Sequence, residues 1–185
     1  MSKEELKKLI KSDRELYSNK GFLRKIYDYI VRDNKYIYRK LIITSRKYSY
    51  YRRKSNLYIL QKIYFTRKQN FLSRKYNINI KALFGKNMKI YHEDITINQY
   101  SVLGDNISLH GNNCIGNNGK NILKCPKIGN NVDIGFGATI IGDIEIADNI
   151  IIGANSLVNK SFLEPNIIIA GVPAKKIKSI KNEVK

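Results

Sequence analysis

The chain has 185 residues and a net charge of +19, from 34 Lys and Arg against 15 Asp and Glu. No stretch of 18 apolar residues is free of charge, which excludes a transmembrane helix. Met1-Ser-Lys-Glu-Glu-Leu6 lacks the basic-then-apolar order of a secretion signal, so a cytoplasmic protein is expected, with Cys114 and Cys125 as reduced thiols.

Composition changes near Tyr76. Residues 1–76 hold 22 basic and 6 acidic side chains, a net of +16, whereas residues 77–185 hold 12 and 9, a net of +3. Eleven of the 13 tyrosines lie in the first part and 11 of the 12 glycines in the second. This contrast divides the chain into a basic, Tyr-rich region at 1–76, a Gly-rich domain at 77–174 and a basic tail at 175–185.

The first region reads as three or four helices. Ser2 followed by Glu5 is a capping box, in which the hydroxyl and the carboxylate satisfy backbone N–H groups reciprocally. Leu6, Leu9, Ile10 and Tyr17 form one apolar stripe, and Gly21 breaks it. Phe22, Leu23, Ile26, Tyr27, Ile30 and Val31 form a second at helical spacing, with Leu57, Leu60, Ile63, Tyr64, Phe71 and Leu72 as another. Basic residues interleave with these stripes. They suit either a polyanionic partner, such as an anionic membrane surface, a charged glycan or nucleic acid, or a plain solvated face.

After Tyr76 the period becomes six. Tyr91, Ile97, Leu103, Leu109 and Ile115 hold it, as do Ile128, Ile134, Ile140, Ile146, Ile152 and Val158. Gly104, Gly116, Gly129, Gly135 and Gly153 stand directly behind five of them. Neither a helix nor a single strand has this period. A triangular solenoid does: each side uses six residues, one aliphatic side chain points inward, and the corner takes Gly, Asn or Asp. Three such sides make one coil, and about five coils fit.

The two histidines, His92 and His110, stand one such coil apart, each behind an in-phase position, which predicts that they stack on one edge of the solenoid. A neutral imidazole is a natural general base for a hydroxyl or an amine. The repeat is interrupted once, by Gly116-Asn-Asn-Gly-Lys-Asn-Ile-Leu-Lys-Cys-Pro-Lys127, and an insertion in a solenoid must project from it. Its Gly and Asn residues and Lys120, Lys124 and Lys127 favour an anion, but no strand–loop–helix with Gly-Lys-Ser/Thr is present. Two histidines in total also fall short of a three-His zinc site.

In order along the chain stand Ile90-Tyr-His92, Leu109-His-Gly-Asn-Asn-Cys-Ile-Gly-Asn-Asn118, Pro126-Lys-Ile-Gly129, Ile134-Gly-Phe-Gly-Ala138 and Gly171-Val-Pro-Ala-Lys175. Over residues 57–178 this series resembles the hexapeptide-repeat acyltransferases, in the branch of serine O-acetyltransferase and the capsule and O-antigen O-acetyltransferases. The resemblance implies a left-handed parallel β-helix, a homotrimer, and acetyl-CoA as co-substrate between neighbouring β-helices with no metal required. It further implies direct transfer to a hydroxyl with His92 as general base and His110 beside it. Asn117, Asn118, Phe136 and Ala154 would follow the pantetheine arm, and Lys160 or Lys175 would meet the CoA phosphates.

Two departures from the serine enzymes stand out. Where they orient the histidine with an aspartate, this chain has Asn77. Where they carry Arg-His ahead of Pro-Lys-Ile, it has Lys124-Cys125 on the acceptor side. The second change argues for a sugar hydroxyl over serine. Serine O-acetylation and sugar N-acetylation are the neighbouring alternatives, and a non-enzymatic trimer binding a polyanion or nucleic acid is the alternative of another class, the weaker because it leaves both histidines and the loop unexplained.

Overall fold

The structure is a computed structural model that describes residues 1–18, 21–31 and 33–180. Four helices come first: α1 (Lys3–Leu16), α2 (Phe22–Val31), α3 (Asn34–Arg52) and, after a 3-10 turn, α4 (Ile59–Tyr76). The Ser2–Glu5 capping box opens α1 as expected, and Gly21 separates α1 from α2 with φ of +95°.

The chain then winds through about five coils of short strands. The first coil holds β1 (Ile78–Ile80), β2 (Leu83–Phe84) and β3 (Lys89–Ile90), the second β4 (Ile95–Ile97), β5 (Val102–Leu103) and β6 (Ser108–Leu109). The third holds β7 (Cys114–Gly116), β8 (Lys127–Ile128) and β9 (Asp133–Ile134), and the fourth β10 (Thr139–Ile141), β11 (Glu145–Ile146) and β12 (Ile151–Ile152). The last has β13 (Leu157–Val158), a bridge at Phe162 and β14 (Ile167–Gly171). Strand β15 (Ala174–Ser179) turns back antiparallel on β14, so the residues expected to begin a tail form an edge strand. Residues 181–185 of that tail lie outside the described residues.

Stacking produces three parallel sheets: β1-β4-β7-β10-β13, β2-β5-β8-β11, and β3-β6-β9-β12-β14 with β15 at its edge. Inward side chains pile up in three columns and are buried, as with Ile97, Ile115, Ile140 and Val158 under the first sheet. Each such side chain contributes roughly 1.5–3 kcal/mol of transfer free energy.

Apart from the inserted loop, one departure from the period bears on the histidines. From Ile90 to Ile97 the inward positions are seven apart, and Ile90 pairs with Leu109, one position further along than a regular coil would place its partner. Ile90 is therefore the buried position and Tyr91, expected inward, is exposed. The corner at 91–94 carries one residue more than the six-residue rule.

Corners depend on left-handed backbone. Among the described residues, eight of the nine non-glycine positions with positive φ are Asn and the ninth is Asp94. Asn tolerates this conformation because its short amide bonds locally. Five of them, Asn87, Asn106, Asn131, Asn149 and Asn166, share the corner between the second and third sheets. Each of the first four donates its amide to the next coil's side-chain oxygen, at 3.0, 2.7, 2.9 and 3.0 Å in turn.

The helices close the first coil in a shared core. Leu41, Ile42 and Leu72 pack with Ile78, Ile80 and Met88. Tyr17, from the end of α1, donates its hydroxyl to Met88 O at 2.9 Å and accepts from Ile90 N–H at 2.8 Å, and burial raises its pKa far above the usual tyrosine range. Ser12 on the same helix bonds Asn87 at 2.7 Å, closing the asparagine row. Buried Arg46 forms a two-pronged pair with buried Asp13 and donates to the carbonyls of Phe84 and Gly85 at 2.8 and 2.6 Å. No helix among the described residues is long and apolar enough to cross a membrane.

Removing one member of a buried pair strands the other's charge. Asp13→Ala is expected to lower unfolding free energy by about 3–5 kcal/mol, read from urea denaturation. A loss below about 1 kcal/mol would show that the backbone carbonyls alone satisfy Arg46.

Candidate active site

The two histidines stand at the corner between the third and first sheets. It is built from the residues that follow β3, β6, β9 and β12, so successive coils place Tyr91-His92, His110-Gly111, Gly135-Phe136 and Gly153-Ala154 side by side. Because the 91–94 corner has its extra residue, the two histidines do not stack on each other. Tyr91 lies over His110, with ring centroids 4.6 Å apart and planes 13° from parallel. His92 lies over Gly111. A Cβ at Gly111 would come within 2.6 Å of His92 Cβ, and its φ of +107° is a conformation that suits glycine. The expectation of one edge holds, and the stacking partner shifts by one residue.

Each imidazole has its own neighbours. His110 Nε2 is 2.7 Å from Asp133 Oδ1, a contact between β6 and β9. When neutral, His110 donates Nε2–H to that carboxylate and keeps the Nδ1 lone pair as its acceptor. His92 is exposed and approaches Phe136 edge-on at 6.4 Å. Behind both, the buried Asn113 amide holds the corner backbone: its oxygen accepts from Gly111 N–H at 3.0 Å and its nitrogen donates to Gly135 O at 2.8 Å.

His92, His110 and Asp133 stand at one end of an open groove of about 550 Å³ that continues over Phe136, Ile151 and Ala154. The groove is apolar past the histidines. Gly135 and Gly153 line its floor, and a Cβ at Gly135 would fall 2.6 Å from Ala154 N. Four of the sequence-nominated residues meet here: His92, His110, Phe136 and Ala154.

The other nominated residues lie elsewhere in the protomer. Asn77, expected to orient the base, caps α4 with φ of +50° and donates its amide to Asp94, its neighbour in the β1–β4 register, not to His92. Asn117 and Asn118 open the inserted loop at a different corner, between the first and second sheets, where each accepts from a backbone N–H two residues on at 2.8 and 3.2 Å. Lys160 follows β13 at that same corner and sits 5.5 Å from the Phe162 ring. Lys175 lies in β15 opposite Ala170, whose Cβ approaches the Gly153 end of the groove.

On the loop, Lys124 binds Asp143 at 2.9 Å, an ion pair that raises the lysine pKa and lowers that of the carboxyl. Cys125 is buried, with its thiol toward Ile122 O at 3.6 Å, and burial pushes its pKa up. A thiol held protonated is a poor nucleophile.

Asp133 is the residue the sequence reading missed. The register pairs Ser108 with Asp133, a separation longer than a regular coil by seven, because the insertion lies between them. Subtracting seven would have placed this carboxylate next to His110.

The chain matches no family model. It is 36% identical over 107 residues to the putative colanic acid biosynthesis acetyltransferase WcaB of Escherichia coli strain K12, covering 57% of this chain and 65% of that protein. It is likewise 36% identical over 112 residues to the serine acetyltransferase of Buchnera aphidicola subsp. Schizaphis graminum, covering 59% of this chain and 42% of that one. The chain thus spans about half the length of these curated relatives. The serine acetyltransferase from Brucella abortus strain S19 superimposes on 96% of this chain and 71% of its own with a TM-score of 0.73 at 22% identity, a likeness of fold. The Neisseria gonorrhoeae serine acetyltransferase does so over 96% and 68%, with a TM-score of 0.68 at 26% identity. Over the solenoid, the resemblance to the acetyltransferase branch holds in both sequence and fold.

Gly111→Ala is expected to cost about 1–3 kcal/mol and to displace His92, because the new methyl meets the histidine Cβ. Thermal unfolding measures the first effect, and the shift of the His92 imidazole NMR signals the second.

Proposed function

We propose that this chain, similar to acetyltransferases of the serine and colanic acid branch, moves an acetyl group from acetyl-CoA to a sugar hydroxyl in a surface-polysaccharide precursor. The observation that supports this reading most is the convergence of His92, His110 and Asp133 on one open, apolar-floored groove. A hydroxyl acceptor needs a base beside it, and a long thioester donor needs a shallow apolar track with backbone close at hand. The groove supplies both.

In this reading His92 takes the proton of the acceptor hydroxyl as that oxygen attacks the thioester carbonyl. The protonated imidazole then returns the proton to the departing sulfur. No side-chain nucleophile takes part, and the buried, protonated Cys125 fits that account. A specific observation favours a second assignment, in which His110 is the base. It has the carboxylate that steadies an imidazolium, Asp133 at 2.7 Å, whereas Asn77 gives His92 no such contact.

Lys124-Cys125 in place of Arg-His, and a relative named for colanic acid biosynthesis, support a sugar over serine. The chain would act as a homotrimer. The inserted loop and Lys160 stand at a different corner from the histidines, so a neighbouring subunit would bring them to the groove.

Turnover is followed as CoA thiol release against capsule-type sugars and serine. His92→Ala is expected to lower kcat by about 10²–10⁴ with folding intact, and Asp133→Asn by about tenfold or more through His110. Cys125→Ser should retain turnover. If His92→Ala matches wild type while His110→Ala is inactive, the base is His110. If neither variant loses activity, the acyl-transfer site is not this groove.

A further inference from the structure

Two of the helices, α2 and α4, present most of their apolar stripes to solvent. In α2, Leu23, Ile26, Tyr27 and Ile30 recur at helical spacing and are all exposed, while Asp28 is buried beside Arg24, 3.0 Å away. Leu23 and Ile30 are 79% and 70% exposed. In α4, Leu60, Tyr64 and Phe71 are exposed in the same way, at 75%, 56% and 61%. The two helices border one depression of about 390 Å³ where Ile30 and Phe71 meet Lys40 and Lys75.

Along α3 and α4 the charge has one sign. No Asp or Glu occurs between Asp33 and Glu93, while α4 alone carries Lys62, Arg67, Lys68, Arg74 and Lys75. Lys75 lies 5.9 Å from the Phe71 ring and 5.6 Å from that of Tyr76, and Lys68 lies 5.4 Å from the Tyr64 ring. An aliphatic and tyrosyl surface with ammonium groups along its edges matches the boundary between lipid headgroups and acyl chains. We infer that the α2–α4 face docks the protein on an anionic lipid bilayer.

Two alternatives fit less well. A second copy on this face would bring together two regions of net +16 each. A soluble polyanion would use the lysines but leave the apolar stripes in water. A bilayer rich in phosphatidylglycerol satisfies both, each Lys or Arg near its surface adding on the order of fivefold in affinity. The inference stands apart from the acetyl-transfer reading, since it concerns another part of the chain and a binding readout.

The test is vesicle co-sedimentation of the full chain. Wild type is expected to bind vesicles of phosphatidylcholine with roughly 30 mol% phosphatidylglycerol and not pure phosphatidylcholine. The triple variant Leu23→Ser, Ile30→Ser, Phe71→Ser keeps every charge and replaces only exposed side chains. Its vesicle binding should fall about tenfold or more, while its circular dichroism and its retention on dextran sulfate stay at wild-type level. Equal binding by the variant and wild type would overturn the proposal, as would equal binding to neutral and anionic vesicles. Sedimentation velocity without lipid closes the remaining route: a wild-type assembly that the triple variant breaks apart would assign the face to a second copy and overturn the bilayer.

Discussion

Every coil of this protein must turn three tight corners without losing register, and asparagine makes that possible. The row from Asn87 to Asn166 joins left-handed backbone to side-chain bonds that run from coil to coil. Each amide satisfies its neighbour while accepting a conformation that most residues avoid. Once these corners are fixed, the strands fall into parallel pairs, and the inward Ile, Leu and Val columns follow as a consequence. Ser12 of α1 closes the row at its first member, so even the helical cap is registered to it.

The candidate site uses the same rule at another corner, with one departure. The extra residue at 91–94 pushes Tyr91 out of the core and onto His110, and moves His92 over Gly111. Two imidazoles from adjacent coils therefore reach the groove in different surroundings. One is stacked under a tyrosine and bonded to Asp133; the other is open to the solvent beside Phe136. A solenoid offers this economy because a one-residue change in one corner re-aims a side chain and leaves the neighbouring coils in place.

The helices show a different balance. Their inward contacts are few and specific: the buried Arg46–Asp13 pair, the Tyr17 hydroxyl between Met88 and Ile90, and Gln69 bonded to Ser45 and Ile80. These bonds hold the cap on the first coil while much of the apolar surface of α2 and α4 faces away. The surplus of positive charge on that side keeps copies apart and suits an oppositely charged partner.

The solenoid, its number of coils and the edge that bears the histidines were legible in the sequence, because a period of six with Gly and Asn at the corners has no other common structural origin. The coil spacing also put His92 and His110 on that edge, whereas Phe136 and Ala154 came from the resemblance to the acyltransferases. What the sequence could not supply was register. Counting by regular coils stacked His92 on His110, but the backbone pairing there runs one position longer, and the inserted loop hid Asp133 from the same count. Asn77 likewise found Asp94, because the β1–β4 pairing runs one position shorter than a regular coil. Helical periodicity announced amphipathic helices ahead of the solenoid without saying which stripes would find a core. Packing on a single coil end has room for only some of them, so α3, one side of α1 and Leu72 of α4 are buried, and tertiary structure alone decided that most of the α2 and α4 stripes are left outside.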